Sequence, residues 1–208
     1  MNIFEQKPDF NNIVCHSGGA TGADTYFETL GEIWGVKTHA YSYKTDYHTS
    51  KNKVEISQSD FEEGIEEINK ANKTLARFGI HKYMNLLARN WAQIKYSKQV
   101  FAIGEIINPR QKTSRGYYSK SRHQTVDGGT GYAVQMAINH HREVFVYCQR
   151  VKSWHKWSYP SMSFVKLSEC PKITTNNFAG IGTRQINSDG ISAITDLYKK
   201  TFETTSES

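Results

Sequence analysis

Ser17-Gly18-Gly19-Ala20-Thr21-Gly22-Ala23-Asp24, Asp127-Gly128-Gly129-Thr130-Gly131 and Gly180-Ile181-Gly182-Thr183-Arg184 are the stretches of this chain best suited to chemistry. Each is a glycine-rich turn leading into residues with helical periodicity. Glycine accepts positive φ in a tight turn, and its missing Cβ lets backbone N–H groups approach a phosphate closely. The helix that follows adds about half a positive charge at the same point. Ser17, Thr21 and Thr130 add hydroxyl donors, Asp24 can cap its helix or hold a ribose hydroxyl, and Arg184 can pair bidentately with phosphate. One such turn is weak evidence, because glycine also ends strands for steric reasons. Three at equivalent positions point to an anionic ligand. The spacing fits neither GxGxxG nor GxxxxGK, which disfavours an ordinary NAD-dependent dehydrogenase and a P-loop NTPase.

The elements that must position these turns alternate in type. Residues 12–16 read as a strand, Tyr26, Phe27, Leu30, Ile33 and Trp34 recur at helical spacing up to Gly35, and residues 36–43 read as a second strand. Ser59 or Asp60 can cap a solvated helix running to Thr74, and Met84, Leu87, Trp91 and Ile94 mark a helix buried on one face. Residues 100–104 form an apolar strand, residues 105–126 a long polar connection of the kind that is usually functional or mobile, and 132–138 and 144–147 a further helix and strand. Residues 149–170 read as an irregular, basic and aromatic segment, with a short strand over 162–167, and Asn187 or Ser188 caps a last helix through Tyr198. Alternating strands and helices imply one α/β domain over residues 1–208, with a mostly parallel sheet and helices on both faces. Ligands of such sheets bind beyond the carboxyl ends of the strands.

The 208 residues suffice for one core, and 38% hydrophobic with 12% aromatic residues is the composition of a globular protein rather than a disordered one. No apolar run is long enough to cross a bilayer, and residues 1–10 lack the layout of a signal peptide. Cys15, Cys148 and Cys170 are too few and too scattered for a disulfide framework or a zinc cluster, so a reducing, cytoplasmic setting with buried thiols is expected. The formal charge of +6 favours anionic partners only mildly, because the cations are dispersed.

The first turn, taken with Gly128-Gly129-Thr130-Gly131 at a later helix start, resembles the SLOG superfamily. That Rossmann-like group includes the LOG nucleotide phosphoribohydrolases, the molybdenum-cofactor carriers and the DNA-processing protein DprA. The resemblance covers residues 12–148 and implies a nucleotide-type ligand and a homodimer. Two departures stand out. Where the LOG pattern carries a catalytic glutamate on the helix after its glycines, this chain has Gln135, and an amide cannot act as a carboxylate base. The turn at Gly180–Arg184 resembles the Gly-Ser-Arg turn that opens the sheet in DprA-like members, yet here it comes last. A circularly permuted arrangement would explain this order, with Phe178 beside Val14.

Ligand contacts are therefore expected from Ser17, Gly18, Gly19, Thr21, Gly22, Asp24, Gly128, Gly129, Thr130, Gly131, Gly182, Thr183 and Arg184. Arg89 and Asn90 join them as candidates from an exposed side of their helix. His140 and His141 are adjacent and share no helix face, so no metal is expected, and no cofactor either. Three functions follow. A sensor or sequestering protein would hold a phosphorylated nucleotide or a molecule derived from one. A nucleotide N-glycosidase would use Asp24, Glu105 or Asp127 in place of the missing glutamate. A DprA-like module would bind single-stranded DNA through basic loops and Trp154 or Trp157, although dispersed charge counts against nucleic acid.

Overall fold

The computed structural model describes residues 12–203; the ten residues read above for a leader and the tail beyond Glu203 lie outside the described residues. In chain order the first elements are β1 (Val14–Ser17), α1 (Ala23–Ile33), β2 (Lys37–Ser42), β3 (Lys53–Glu55), α2 (Gln58–Leu75), α3 (Met84–Lys95) and β4 (Gln99–Gly104). There follow β5 (Ile106–Ile107), β6 (Thr125–Val126), α4 (Thr130–Asn139), β7 (Glu143–Cys148), β8 (Ser153–Ser158), β9 (Ser163–Lys166), β10 (Asn177–Gly182) and α5 (Ser188–Phe202).

Eight strands form one sheet in the order β3-β2-β1-β10-β4-β7-β8-β9. The first six are parallel, and β8 and β9 close the sheet as an antiparallel hairpin. Every residue of β4 is buried, the near-continuous burial that a parallel strand covered on both faces requires. On one face, α1 and α5 pack Phe27, Ile194, Leu197 and Tyr198 against Phe101, Phe145 and Phe178 of the strands. The Tyr198 hydroxyl, with no solvent available, donates to the Phe27 carbonyl at 3.0 Å. On the other face, Leu87, Ile94, Val134 and Met136 of α3 and α4 cover Val100, Ala102, Val146 and Ile181. Helix α2 lies across α3 and α4 and adds Ile68, Ala71 and Leu75 to the same core. The fold is α/β and Rossmann-like, with Cys15 opposite Phe178 and Val14 opposite Asn177 in the β1–β10 pairing.

Three expectations change. Residues 149–170 are less irregular than expected: β9 falls within the strand expected over 162–167, but β8 precedes it unannounced, and Trp154 and Trp157 are buried. Three residues apart on a strand, the two rings point to opposite faces, Trp154 into the α1–α5 core and Trp157 into the α4 core. Their period of three hides the strand from any search for alternation. The connection over residues 105–126 remains a long insertion, with β5 paired to β6 and a bridge between Lys112 and Tyr118. Arg89 and Asn90, expected on an exposed side, are buried. Sheet and α2 cover α3 from opposite sides, so all residues from Leu87 to Ile94 are buried and no solvated stripe remains there. Helix α2 begins earlier than expected: Ser57, not Ser59 or Asp60, caps it, accepting the Asp60 N–H at 3.0 Å.

Candidate functional site

Strands β1, β10 and β4 are immediate neighbours, and one glycine turn lies at the carboxyl end of each. The first turn leaves β1 and the third leaves β10. The second is carried back over the end of β4 by the β5–β6 pair, where the Asp127 N–H donates to the Glu105 carbonyl at 2.9 Å. The turns touch. The Ala23 N–H donates to the Thr183 carbonyl at 3.0 Å, and the Thr183 N–H to the Ile103 carbonyl at 2.9 Å. Asn90 reaches from α3 to the Gly129 carbonyl at 3.4 Å. Gly22 sits at φ 108°, and a Cβ there would lie 2.5 Å from the Arg184 Cα, so the first turn rests backbone to backbone on the third. A Cβ at Gly131 would lie 1.9 Å from the Val126 carbonyl oxygen. These two glycines serve packing.

Beneath the turns lies a buried charge pair. One Asp24 carboxylate oxygen accepts from the Gly182 N–H at 3.1 Å; the other accepts from the Ala20 N–H at 3.4 Å and faces Arg89 Nη1 at 3.8 Å. Burial pushes the Asp24 carboxyl up, and Arg89 with the amides of Ala20, Gly182 and Gly18 pulls it back only in part. Burial lowers the Arg89 guanidinium, with Asp24 opposing. With its amide oxygen turned to the first turn, Gln93 accepts from the Gly18 N–H at 2.6 Å and from Arg89 Nη1 at 3.1 Å. Amides of Gly18, Ala20 and Gly182 thus already have protein acceptors. Asp24 and Arg89 build the turn from inside.

What faces outward is narrower than the sequence reading. Thr21 and Arg184 are exposed, Gly129 is exposed, and Gly19, Gly128, Thr130 and Thr183 are half-buried. A Cβ at Gly128 would meet nothing within 4 Å. His48, from the loop between β2 and β3, bonds the Gly18 carbonyl at 3.1 Å and closes one side of the first turn; burial lowers its pKa. Ser17 is fully buried, its hydroxyl directed at the Asp24 carbonyl at 3.5 Å. Arg77, just past α2, donates to the carbonyls of Gly128 and Val126, each at 2.5 Å, and lies 5.4 Å from the Tyr132 ring centre. It clamps the second turn. Neither Arg77, Gln93 nor His48 carries a sequence signal, because each acts on residues far away in the chain.

Glu105 and Asp127 share a cavity of about 360 Å³ beside the second turn, lined also by Lys112, Thr113, Ser114 and Arg150. Glu105 accepts from the Arg150 N–H at 3.1 Å, and the Cys148 thiol points at its other oxygen at 3.5 Å. Burial works to raise Asp127, but the Ser114 and Gly128 N–H groups, each at 2.7 Å, outweigh it and hold the carboxyl below its usual range. Asp24 is absent from that cavity. Gln135 is elsewhere too: it lines a recess of about 230 Å³ with Trp157, Tyr159 and His141, and donates to Asn139 at 2.9 Å.

Cys15 is buried, its thiol pushed up to about 12 by desolvation, and Cys148 is buried as well. Among the described residues no group of three or more His, Cys, Asp and Glu side chains is placed to hold a metal ion, and no helix is long and apolar enough to cross a membrane. No family model matches the chain, and neither curated proteins nor solved structures give a match.

Proposed function

We propose that the row of turns over the ends of β1, β10 and β4 binds a phosphorylated nucleotide or a nucleotide-derived small molecule, as a sensor or sequestering protein of SLOG type. One observation carries this reading: three glycine turns lie at the ends of adjacent strands, the first and third in backbone contact, with the unpaired, exposed Arg184 at their rim. The phosphate lies on the outer faces of these turns, against Gly19, Thr21, Gly128, Gly129 and Thr130, and Arg184 supplies countercharge. Asp24, Arg89 and Gln93 act beneath them as a scaffold that holds the turns in shape. The SLOG resemblance supplies the ligand class and a homodimeric assembly, for which sedimentation gives the mass.

The test begins with heat extraction of freshly purified protein and mass spectrometry of any nucleotide released. Calorimetry with nucleotide mono- and diphosphates, cyclic nucleotides and ADP-ribose derivatives then measures affinity. Arg184→Ala is expected to weaken binding about tenfold with no change in melting temperature, since the side chain is exposed and makes no ion pair. No co-purified nucleotide and no heat with any of these ligands would remove the proposal.

A second reading has an observation of its own. Glu105 and Asp127 line one cavity next to the second turn, the placement a pair of carboxylates needs to work on one N-glycosidic bond. Free base appearing on incubation with a nucleotide monophosphate, and disappearing in Glu105→Gln, would favour this enzyme over the binder.

A further inference from the structure

A second surface, built by the insertion between β5 and β6, is independent of the reading of the turns. Residues 108–124 hold five Lys and Arg side chains and no Asp or Glu. The segment folds back on itself, with the Arg110 N–H donating to the Ser119 carbonyl at 3.2 Å and the Thr113 N–H to the Tyr117 carbonyl at 2.7 Å. It packs on residues 77–83, which join α2 to α3 and also carry no acid: Lys120 lies 4.6 Å from the Phe78 ring centre and Arg115 5.1 Å from that of Tyr83. Phe78, Tyr117 and Tyr118 are 78%, 70% and 68% exposed. Among the described residues, Lys82, Arg110, Lys112, Arg115, Lys120 and Arg122 are exposed and form no ion pair. Glu105 and Asp127, at the base of the insertion, are taken up by Arg150 and by the Ser114 and Gly128 amides.

Unpaired cations repel one another, and exposed rings forfeit burial, so an ordered surface combining both is matched by a partner with negative charge and flat apolar faces. We infer that this surface binds single-stranded nucleic acid, its phosphates against the cations and its bases stacked on Tyr117, Tyr118 and Phe78. A lipid surface fits less well, because anchoring scales with buried apolar area and Phe78 is the one wholly apolar ring of the three. An acidic peptide would satisfy the cations and leave the rings unmatched. Trp154 and Trp157, both buried, take no part.

Fluorescence anisotropy tests this with a labelled oligothymidylate of roughly 15 nucleotides. The comparison probes are an abasic strand of equal length, heparin, and vesicles of phosphatidylcholine with phosphatidylserine. The expected result is oligothymidylate binding that falls steeply with salt, with the abasic strand about tenfold weaker or worse. The Tyr117→Ser/Tyr118→Ser variant loses a similar factor and keeps the salt slope, whereas Arg115→Gln/Lys120→Gln lowers the slope by about 1.4. Equal affinity for the abasic strand or heparin overturns the inference, as does vesicle binding without oligonucleotide binding. The abasic comparison on the unaltered protein stands even should a variant fail to fold.

Discussion

His16 shows what one residue's surroundings can do that its type does not announce. Its Nδ1 bonds the Tyr41 hydroxyl at 3.0 Å and its Nε2 the Asn177 side-chain oxygen at 2.9 Å, deep beneath Tyr96 and beside His39. Burial drives its pKa down to about 4, with the Asn177 bond opposing and His39 assisting. The folded state therefore keeps His16 neutral where the unfolded chain, titrating near 6.5, takes up a proton. The associated stability is complete above pH 6.5 and drains away as pH falls toward about 4. At 1.36 kcal/mol per pH unit the whole effect is about 3 kcal/mol. Urea unfolding at about pH 7 and about pH 5 should show the wild type losing more stability than His16→Gln, a difference that sets aside the other histidines titrating in the same window. Parallel losses would show that His16 is not the group responsible. At this scale the turn glycines were legible, since few residue types tolerate such backbone. Arg77, Gln93 and His48 were not, because their partners lie dozens of residues away.

At the scale of elements, glycines that look alike in sequence separate by what surrounds them. Gly22 and Gly35 both have positive φ, at 108° and 70°. A Cβ at Gly35 would meet nothing within 4 Å, whereas one at Gly22 would strike the backbone of the third turn at 2.5 Å. Gly35→Ala should cost about 1 kcal/mol, the backbone penalty alone. Gly22→Ala adds a backbone clash and should cost at least about 3 kcal/mol. Denaturant midpoints at constant slope measure both, and equal costs would mean that the first and third turns slide freely past each other. Strands β1, β2, β4, β7 and β10, along with helices α1, α4 and α5, were readable from apolar periodicity and caps. Strand β8 escaped because Trp154 and Trp157 serve two different cores, and Arg89 was misjudged because α3 is covered on both sides.

For the molecule as a whole, the decisive feature is the last strand at the sheet's centre. β10 fills the gap between β1 and β4, and Phe178, Ala179, Gly180 and Ile181 are all buried there. A chain ending at Asn176 would lose this strand together with α5 and the Ile194, Leu197 and Tyr198 contacts that cover Phe101. Such a truncation should abolish cooperative thermal unfolding and near-ultraviolet circular dichroism, since β1 and β4 would face each other with no strand between them. A truncated chain that still melts cooperatively would show that the first part of the sheet stands alone.

The amino-acid order by itself determined the alternation of strands and helices, the glycine turns and the α/β class, because period, caps and backbone tolerance are local properties. Tertiary structure decided which strands are neighbours, that Asp24 faces Arg89, and that Glu105 and Asp127 share a cavity from which Gln135 is excluded. The physical reason is distance along the chain: Asp24 and Gly182 are 158 residues apart and bond at 3.1 Å because β10 lies between β1 and β4.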